Sequence, residues 1–570
     1  MAAPNFDFLY TKKFVKQMPY TKLEDPNVIA GYFHGLGIQT TQLTENRNKN
    51  KDITMQFLVN YNKSFGKHDL ALLGGYEYYY AKYDNMWGKG DNFELTSFPY
   101  LDLAPSDYQS TGGNATEYSY RSWFGRVNYS YDNKYLLEAN IRYDGSSRFS
   151  SDNRWAAFPS VSLGWVITEE KFMKTTRSWL DQLKLRASWG KLGNERIGSY
   201  YPYQAAISFN QVAITDGGVV SGVTAASQTD YAVRNITWET TTSWDLGLDA
   251  MFLNSRLYFN FDAYRKNTSD MLLAVQIPIF LGYNNPSVNA GDMHTTGWDF
   301  NAGWRDHVGD FNYNVSFNLS NAKSKMGNMR NTIFYNGDYI SREGTEYNQF
   351  YGYHCLGIYQ TQDQVDQSAR LNDNIKVGDL QYEDISGPDG VPDGKISAEY
   401  DRIPLKSSMP HYIYGLTFNA DWHGFDASIV IQGVGEQWAR NDAYRVQGYT
   451  WNWLSFPKVI EGKYWSANNS DEQNAAATYP RLTYANRDAN YAMSDYWLYN
   501  NHYLRLKNIT LGYTLPKNIT KKFFIERLRV YVAANDLFSI NNCLDGWDPE
   551  SQTFSYPVMR SLMFGVNVNF

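Results

Sequence analysis

The chain has 570 residues, of which 19% are charged, 43% hydrophobic and 17% aromatic, and its formal net charge is −7. A small acidic balance leaves no electrostatic footprint for nucleic acid, and no apolar run reaches the roughly eighteen residues of a transmembrane helix. Few charges alongside 47 Tyr and 17 Trp instead fit strands with lipid on one side and water on the other.

The N-terminus, Met1-Ala2-Ala3-Pro4-Asn5-Phe6-Asp7, has no basic region, apolar core or cleavage site, so no signal peptide is expected there. Period-two alternation then dominates. Ile53, Met55, Phe57, Val59 and Tyr61 alternate with Thr54, Gln56, Asn60 and Asn62. The pattern returns over 135–143, 183–189, 311–319, 412–422 and 528–534. Each run is about ten residues, the span of a tilted membrane strand. The apolar members, among them Phe57, Ile141, Val315, Phe317 and Val530, are expected to face lipid. Thr54, Arg142, Asn314 and Arg529 are expected to face the lumen.

Short and long connections alternate. Ser64–Lys67, Asp132–Lys134, Asn254–Ser255, Arg305–Asp310 and His423–Gly424 read as tight turns. Long loops are expected near 84–115, 192–236, 268–291, 322–409, 435–499 and 537–558, with 145–155 shorter. Outer-membrane barrels pair short periplasmic turns with long extracellular loops in this way. Residues 169–180 read as a helical turn on the short-turn side. Tyr61 and Phe65, Tyr131 and Tyr135, Phe252 and Tyr258, Trp304 and Phe311, and Trp422 and Phe425 flank the tight turns as an interfacial girdle would. The reading is an all-β, antiparallel, up-and-down transmembrane barrel of about fifteen or sixteen strands, the last count including residues 28–40 as a strand.

At the C-terminus, Leu562, Phe564, Val566, Val568 and Phe570 alternate with Met563, Gly565, Asn567 and Asn569. This resembles the assembly signal that barrel-insertion machinery reads by strand addition.

No catalytic constellation emerges from the eight His. His411 and His423 are too far apart along a strand to share a metal, and the carboxylate pairs lie in loops without acid–base geometry. Cys355 and Cys543 make neither a disulfide framework nor a zinc site. One segment, 384–401, invites a divalent cation such as calcium. Counting from Asp389, Asp393 is fifth, Gly394 sixth and Ile396 eighth, as in a calcium loop. Val391 spoils the third position, and Tyr400 stands twelfth between Glu399 and Asp401. A metal-free Gly/Pro/Asp turn is the competing reading. Trp87, Trp438, Trp451 and Trp453 read as loop aromatics that stack on sugar rings or pack the loops together.

Several longer stretches, taken in order, resemble the SusC/RagA family of TonB-linked transporters. They are Tyr135 to Phe149 (YLLEANIRYDGSSRF), Phe158 to Trp165, Leu183 to Gly190, Gly378 to Ile385, Gly424 to Ser428 and Leu504 to Tyr513. The resemblance implies a larger barrel of 22 strands, with an N-terminal extension, a TonB box and a plug that this sequence does not show. On that reading residues 1–570 are a partial receptor-like barrel, with the Asp/Gly-rich loop 376–402 inside it. The resemblance further implies import of oligosaccharides or peptides at the outer membrane of a Gram-negative bacterium, not enzymatic turnover. Its partners would be a SusD-like surface lipoprotein, TonB–ExbB–ExbD acting through the N-terminal part, the barrel-assembly machinery and outer-membrane lipid. A complete passive porin of about sixteen strands and a surface glycan-binding or adhesin protein are the alternatives.

Overall fold

The computed structural model describes residues 2–570 apart from 16–17, 23, 34–39, 96, 217–218, 229, 276, 331, 442–455, 484–485, 545–546 and 552–557. Its frame is a 16-stranded sheet whose neighbours follow chain order. The strands are β1 (Ala2–Val15), β2 (Gln42–Phe65), β3 (His68–Asp91) and β4 (Gln109–Tyr131). Then come β5 (Tyr135–Ser146), β6 (Trp155–Val166), β7 (Leu180–Asn194) and β8 (Glu239–Phe252). They are followed by β9 (Leu257–Ala274), β10 (Ser287–Val308), β11 (Phe311–Met326) and β12 (His411–Trp422). The last four are β13 (Phe425–Glu436), β14 (Tyr503–Thr514), β15 (Arg527–Asn541) and β16 (Ser561–Asn569). Every pairing in this sheet is antiparallel, so the expected up-and-down topology is present.

The tight turns are built by residues that take positive φ. Asp132 and Asn133 both sit at φ 54, and His423 and Gly424 at 47 and 88. Tyr131↔Tyr135 encloses three residues and Trp422↔Phe425 two, and both turns use left-handed backbone that Asn, Asp and Gly accept more readily than most residues. The helical reading near 169–180 corresponds to short 3-10 turns at Ile167–Glu169 and Lys171–Thr176.

Two expectations are corrected. The first sheet strand is Ala2–Val15. Within the span 28–40, Ile29–Phe33 is a strand, but it pairs with Met18–Thr21 in a separate two-stranded unit. The strands also outrun the bilayer. The β3–β4 ladder continues to Gly90↔Gln109, because neighbouring hairpins keep satisfying one another's backbone groups beyond the lipid. The connection expected at 84–115 therefore shrinks to 92–108.

The apolar face points outward. Phe57 is 68% exposed, Ile141 54% and Leu246 66%, exposures that would be costly in water and are appropriate to lipid. Arg142 instead pairs with Asp144, and Arg529 with Asp426. Rings cluster at the short-turn end: Phe65 stacks on His68 at 4.9 Å, Tyr131 lies 6.4 Å from Tyr135, and Phe425 4.5 Å from Tyr513. Tyr258 is the exception to the expected girdle. It lies across Gly303, its partner on β10, on the opposite face.

Candidate functional site

The face opposite the apolar one is polar, because each strand places alternate residues there. One row reads Asn62, Ala71, Asn128, Glu138, Ser162, Ser188 and Asp245 across β2 to β8. The same seven strands line a cavity of about 670 Å³. Some charges of this face pair across strands. Arg186 donates from Nε to Asp249 at 2.8 Å and pairs with Asp262 at 2.8 Å. Gly247, lying between, leaves the space: a Cβ there would fall 2.5 Å from the Arg186 Cζ. Arg529 does the same with Asp426 beside Gly512. Such paired groups make a hydrated wall; each is held by its partner and none is presented as a nucleophile or base.

Several rings of this wall lie flat over a cross-strand glycine. Trp87 faces Gly112, Tyr264 faces Gly297, Phe124 faces Gly75 and Tyr531 faces Gly565. An added Cβ at Gly112 would come 2.6 Å from the indole. The glycine gives the ring a bed and the ring covers the bare backbone, the exchange known as aromatic rescue. A flat ring keeps the lumen wide and turns one π face toward it.

At the long-loop end, segments 334–407 and 456–500 form a cap with its own core, which includes Tyr353, Leu380, Tyr382, Ile460 and Trp497. Its hub is Asp379, fully buried. The carboxylate accepts from Arg481 Nε at 2.6 Å and Nη2 at 3.0 Å, from Asn486 and Asn490 at 2.8 and 2.9 Å, and from the Lys376 N–H at 2.9 Å. Five donors on one shielded carboxylate satisfy the condition for burying a charge. A second hub, Arg505, joins the inner wall to the β15–β16 connection through Asp548 at 2.7 Å and Glu550 at 3.1 Å. His354 meets Asp495 at 2.5 Å, and this hydrogen bond holds the imidazole above its ordinary pKa. Burial pushes the neighbouring Cys355 thiol up to about 12. Cys355 and Cys543 are not joined in a disulfide.

Of the tryptophans expected on loops, Trp87 is on β3. Trp438 packs against Phe350, Met493 and Leu498 with its Nε1 donating to Glu436 at 3.0 Å, a loop-packing role. Trp451 and Trp453 lie outside the described residues. In the 384–401 loop, Asp401 is buried and its two oxygens accept from the Ile385, Ser386 and Ser397 amides. Asp393 accepts from the Lys395 N–H, while Asp389 and Glu399 are exposed. Among the described residues no three His, Cys, Asp or Glu side chains gather as a metal site would need. Phe564, Val566 and Val568 stand on the outer face of β16, with Phe570 one residue beyond the strand. Asp379 and Arg505 were not singled out from sequence; each lies in a stretch that carried the family resemblance.

A family model described as TonB dependent receptor-like, beta-barrel matches residues 4–537. The TonB-dependent receptor P3 of Formosa agariphila is 29% identical over 586 residues, covering 96% of this chain and 55% of that protein. TonB-dependent receptor SusC of Bacteroides thetaiotaomicron is 29% identical over 568 residues, covering 96% of this chain and 52% of that one. The chain thus spans about half the length of the curated relatives it matches. A solved structure of the RagAB peptide transporter overlays all of this chain on 59% of its own, with a TM-score of 0.81 at 24% identity.

Proposed function

Since the chain belongs to the TonB dependent receptor-like β-barrel family, we propose that it forms the barrel wall of an outer-membrane importer for oligosaccharides or peptides. The observation that carries this is the two-faced sheet: an apolar outer face and a polar wall that carries cross-strand ion pairs. The whole protein, in a Gram-negative outer membrane, would take substrate from a SusD-like lipoprotein docked over the loop cap and draw energy from TonB–ExbB–ExbD. It would carry no enzymatic activity of its own. The apolar strand ending in Phe564, Val566, Val568 and Phe570 would be read by the assembly machinery, and the outer face would be solvated by lipid. Loop 376–402 would act as a structural element of the cap.

The test is uptake in the native host, with the chromosomal gene deleted and restored. Growth on the imported nutrient should need both this gene and TonB. Growth that needs this gene but survives loss of TonB would replace the importer with the passive porin.

A further inference from the structure

Resting on the uptake reading, we propose that the inner face of the β3–β4 hairpin is an aromatic track that binds a neutral oligosaccharide at the outer mouth. Trp87 is twenty positions beyond Lys67 of the β2–β3 turn. At about 3.3 Å per residue and a tilt of about 40°, that places it roughly 50 Å above the turn, clear of the membrane. Tyr79, Tyr83 and Trp87 share the inner face of β3 by alternation, one ring every four residues, or about 13 Å. Tyr120 and Tyr118 of β4 join them, with Tyr79 stacked 5.3 Å from Tyr120 and Tyr118 6.2 Å from it.

The hydrogen bonding fixes what these rings can offer. Tyr79 donates its hydroxyl to Asp52 at 3.1 Å, Tyr120 to Glu77 and Tyr118 to Glu195. The phenols are therefore anchored, and their π faces and the carboxylates' remaining lone pairs are what face a ligand. Asn85 and Asn48, linked at 2.5 Å, add amide donors and acceptors on the same face. At the base, Arg148 is sandwiched 4.8 Å from Tyr118 and 4.7 Å from Tyr200. Its Nε and the Oε2 of Glu195 have no hydrogen-bond partner among the described residues, a condition that marks a place for a ligand or water.

Flat rings with interleaved acceptors suit the C–H face and hydroxyls of a pyranose. A peptide bound along a strand would use an unpaired sheet edge, and β3 has none here, being paired with β2 and β4 along its length. The carboxylates Asp52, Glu77 and Glu195 disfavour an anionic chain.

The experiment uses the full chain in detergent against a microarray of neutral glycans, with a peptide microarray as counter-probe and calorimetry on the strongest hit. Saturable glycan binding is expected, weakened at least tenfold by Trp87→Ala and by Tyr79→Ala. Tyr264→Ala, which removes a ring lying on glycine lower in the wall, should change it less than twofold. Heat-modified gel mobility of each variant checks its folding. The proposal is overturned by binding to peptides alone, by no saturable glycan binding, or by both track variants staying within twofold of the parent. TonB-dependent growth that persists in any of these cases leaves the uptake reading standing.

Discussion

Leu246 offers a direct measurement of which face meets lipid. It lies on β8 opposite Ala187 and Ala263 and is 66% exposed in the isolated chain. Phe252 ends the strand six positions on. At about 3.3 Å per residue and roughly 40° of tilt, Leu246 stands about 15 Å above the turn, near the middle of an apolar band about 25 Å tall. A guanidinium there costs about 2–4 kcal/mol, or roughly 30- to 700-fold in the folding equilibrium. Ser188→Arg is the control, since Ser188 is directly opposite Asp245 on the polar face. Both variants would be folded into bilayers and titrated with urea, following the shift in gel mobility on heating. Leu246→Arg should lose stability in that range, and Ser188→Arg should stay within about 0.5 kcal/mol of the parent, as surface changes do. Equal losses in the two would refute the assignment of faces.

Four further outcomes are expected. Asp379→Ala should loosen the cap by about 3–5 kcal/mol, because it strands Arg481 beside an empty space; hydrogen exchange should quicken over 456–497 while the barrel's heat-modified mobility is unchanged. The His354–Asp495 link carries a raised imidazole pKa, so its contribution is whole below the unfolded value of about 6.5 and is lost as pH rises through the folded one. Protease cleavage near 353–357 should therefore increase with pH in the parent and be pH-independent in His354→Gln. Cys355, with its thiol pushed up to about 12, should resist alkylation at pH 8 until the protein is unfolded; rapid labelling of native protein would contradict its burial. Asp401→Ala, which strips the acceptor from three backbone amides, should open 384–401 to protease equally in calcium and in chelator. Calcium-dependent protection of the parent, lost in Asp389→Asn with Asp393→Asn, would instead establish a cation in that loop.

The membrane face was legible because lipid demands a strict alternation, and residues such as Phe57, Ile141 and Val530 obey it. The tight turns were legible because left-handed backbone selects a few residue types, as at Asp132-Asn133 and His423-Gly424. The cap was not. Asp379 and its partners Arg481, Asn486 and Asn490 are about a hundred positions apart in sequence. No local period marks a buried carboxylate whose donors come from another loop. The strand at Ala2–Val15 was missed for a related reason. Its run Tyr10-Thr11-Lys12-Lys13-Phe14 is polar and breaks the alternation, and only pairing with β2 makes it a strand.

The rings that lie on glycine show where counting along the sequence succeeds and where it stops. A two-residue turn fixes the register of everything above it. Trp422↔Phe425 across His423-Gly424 therefore dictates Tyr414↔Gly433, which is found, and the Tyr414 ring does lie over that glycine. That pair could have been read from the sequence by counting outward from the turn. Trp87↔Gly112 could not, because residues 92–108 intervene and a loop of that length permits many registers. The register there is set instead from below. Gly66-Lys67 fixes β3 on β2, Asp132-Asn133 fixes β5 on β4, and side-chain fit must choose how the two hairpins meet. The chosen meeting puts Gly75 under Phe124 and Gly112 under Trp87 together. A slip of two residues would keep every side chain on its proper face yet set both rings against side chains instead of glycines. The glycines thus act as register pins between hairpins, and the aromatic surface at the mouth follows from the same packing that aligns the wall.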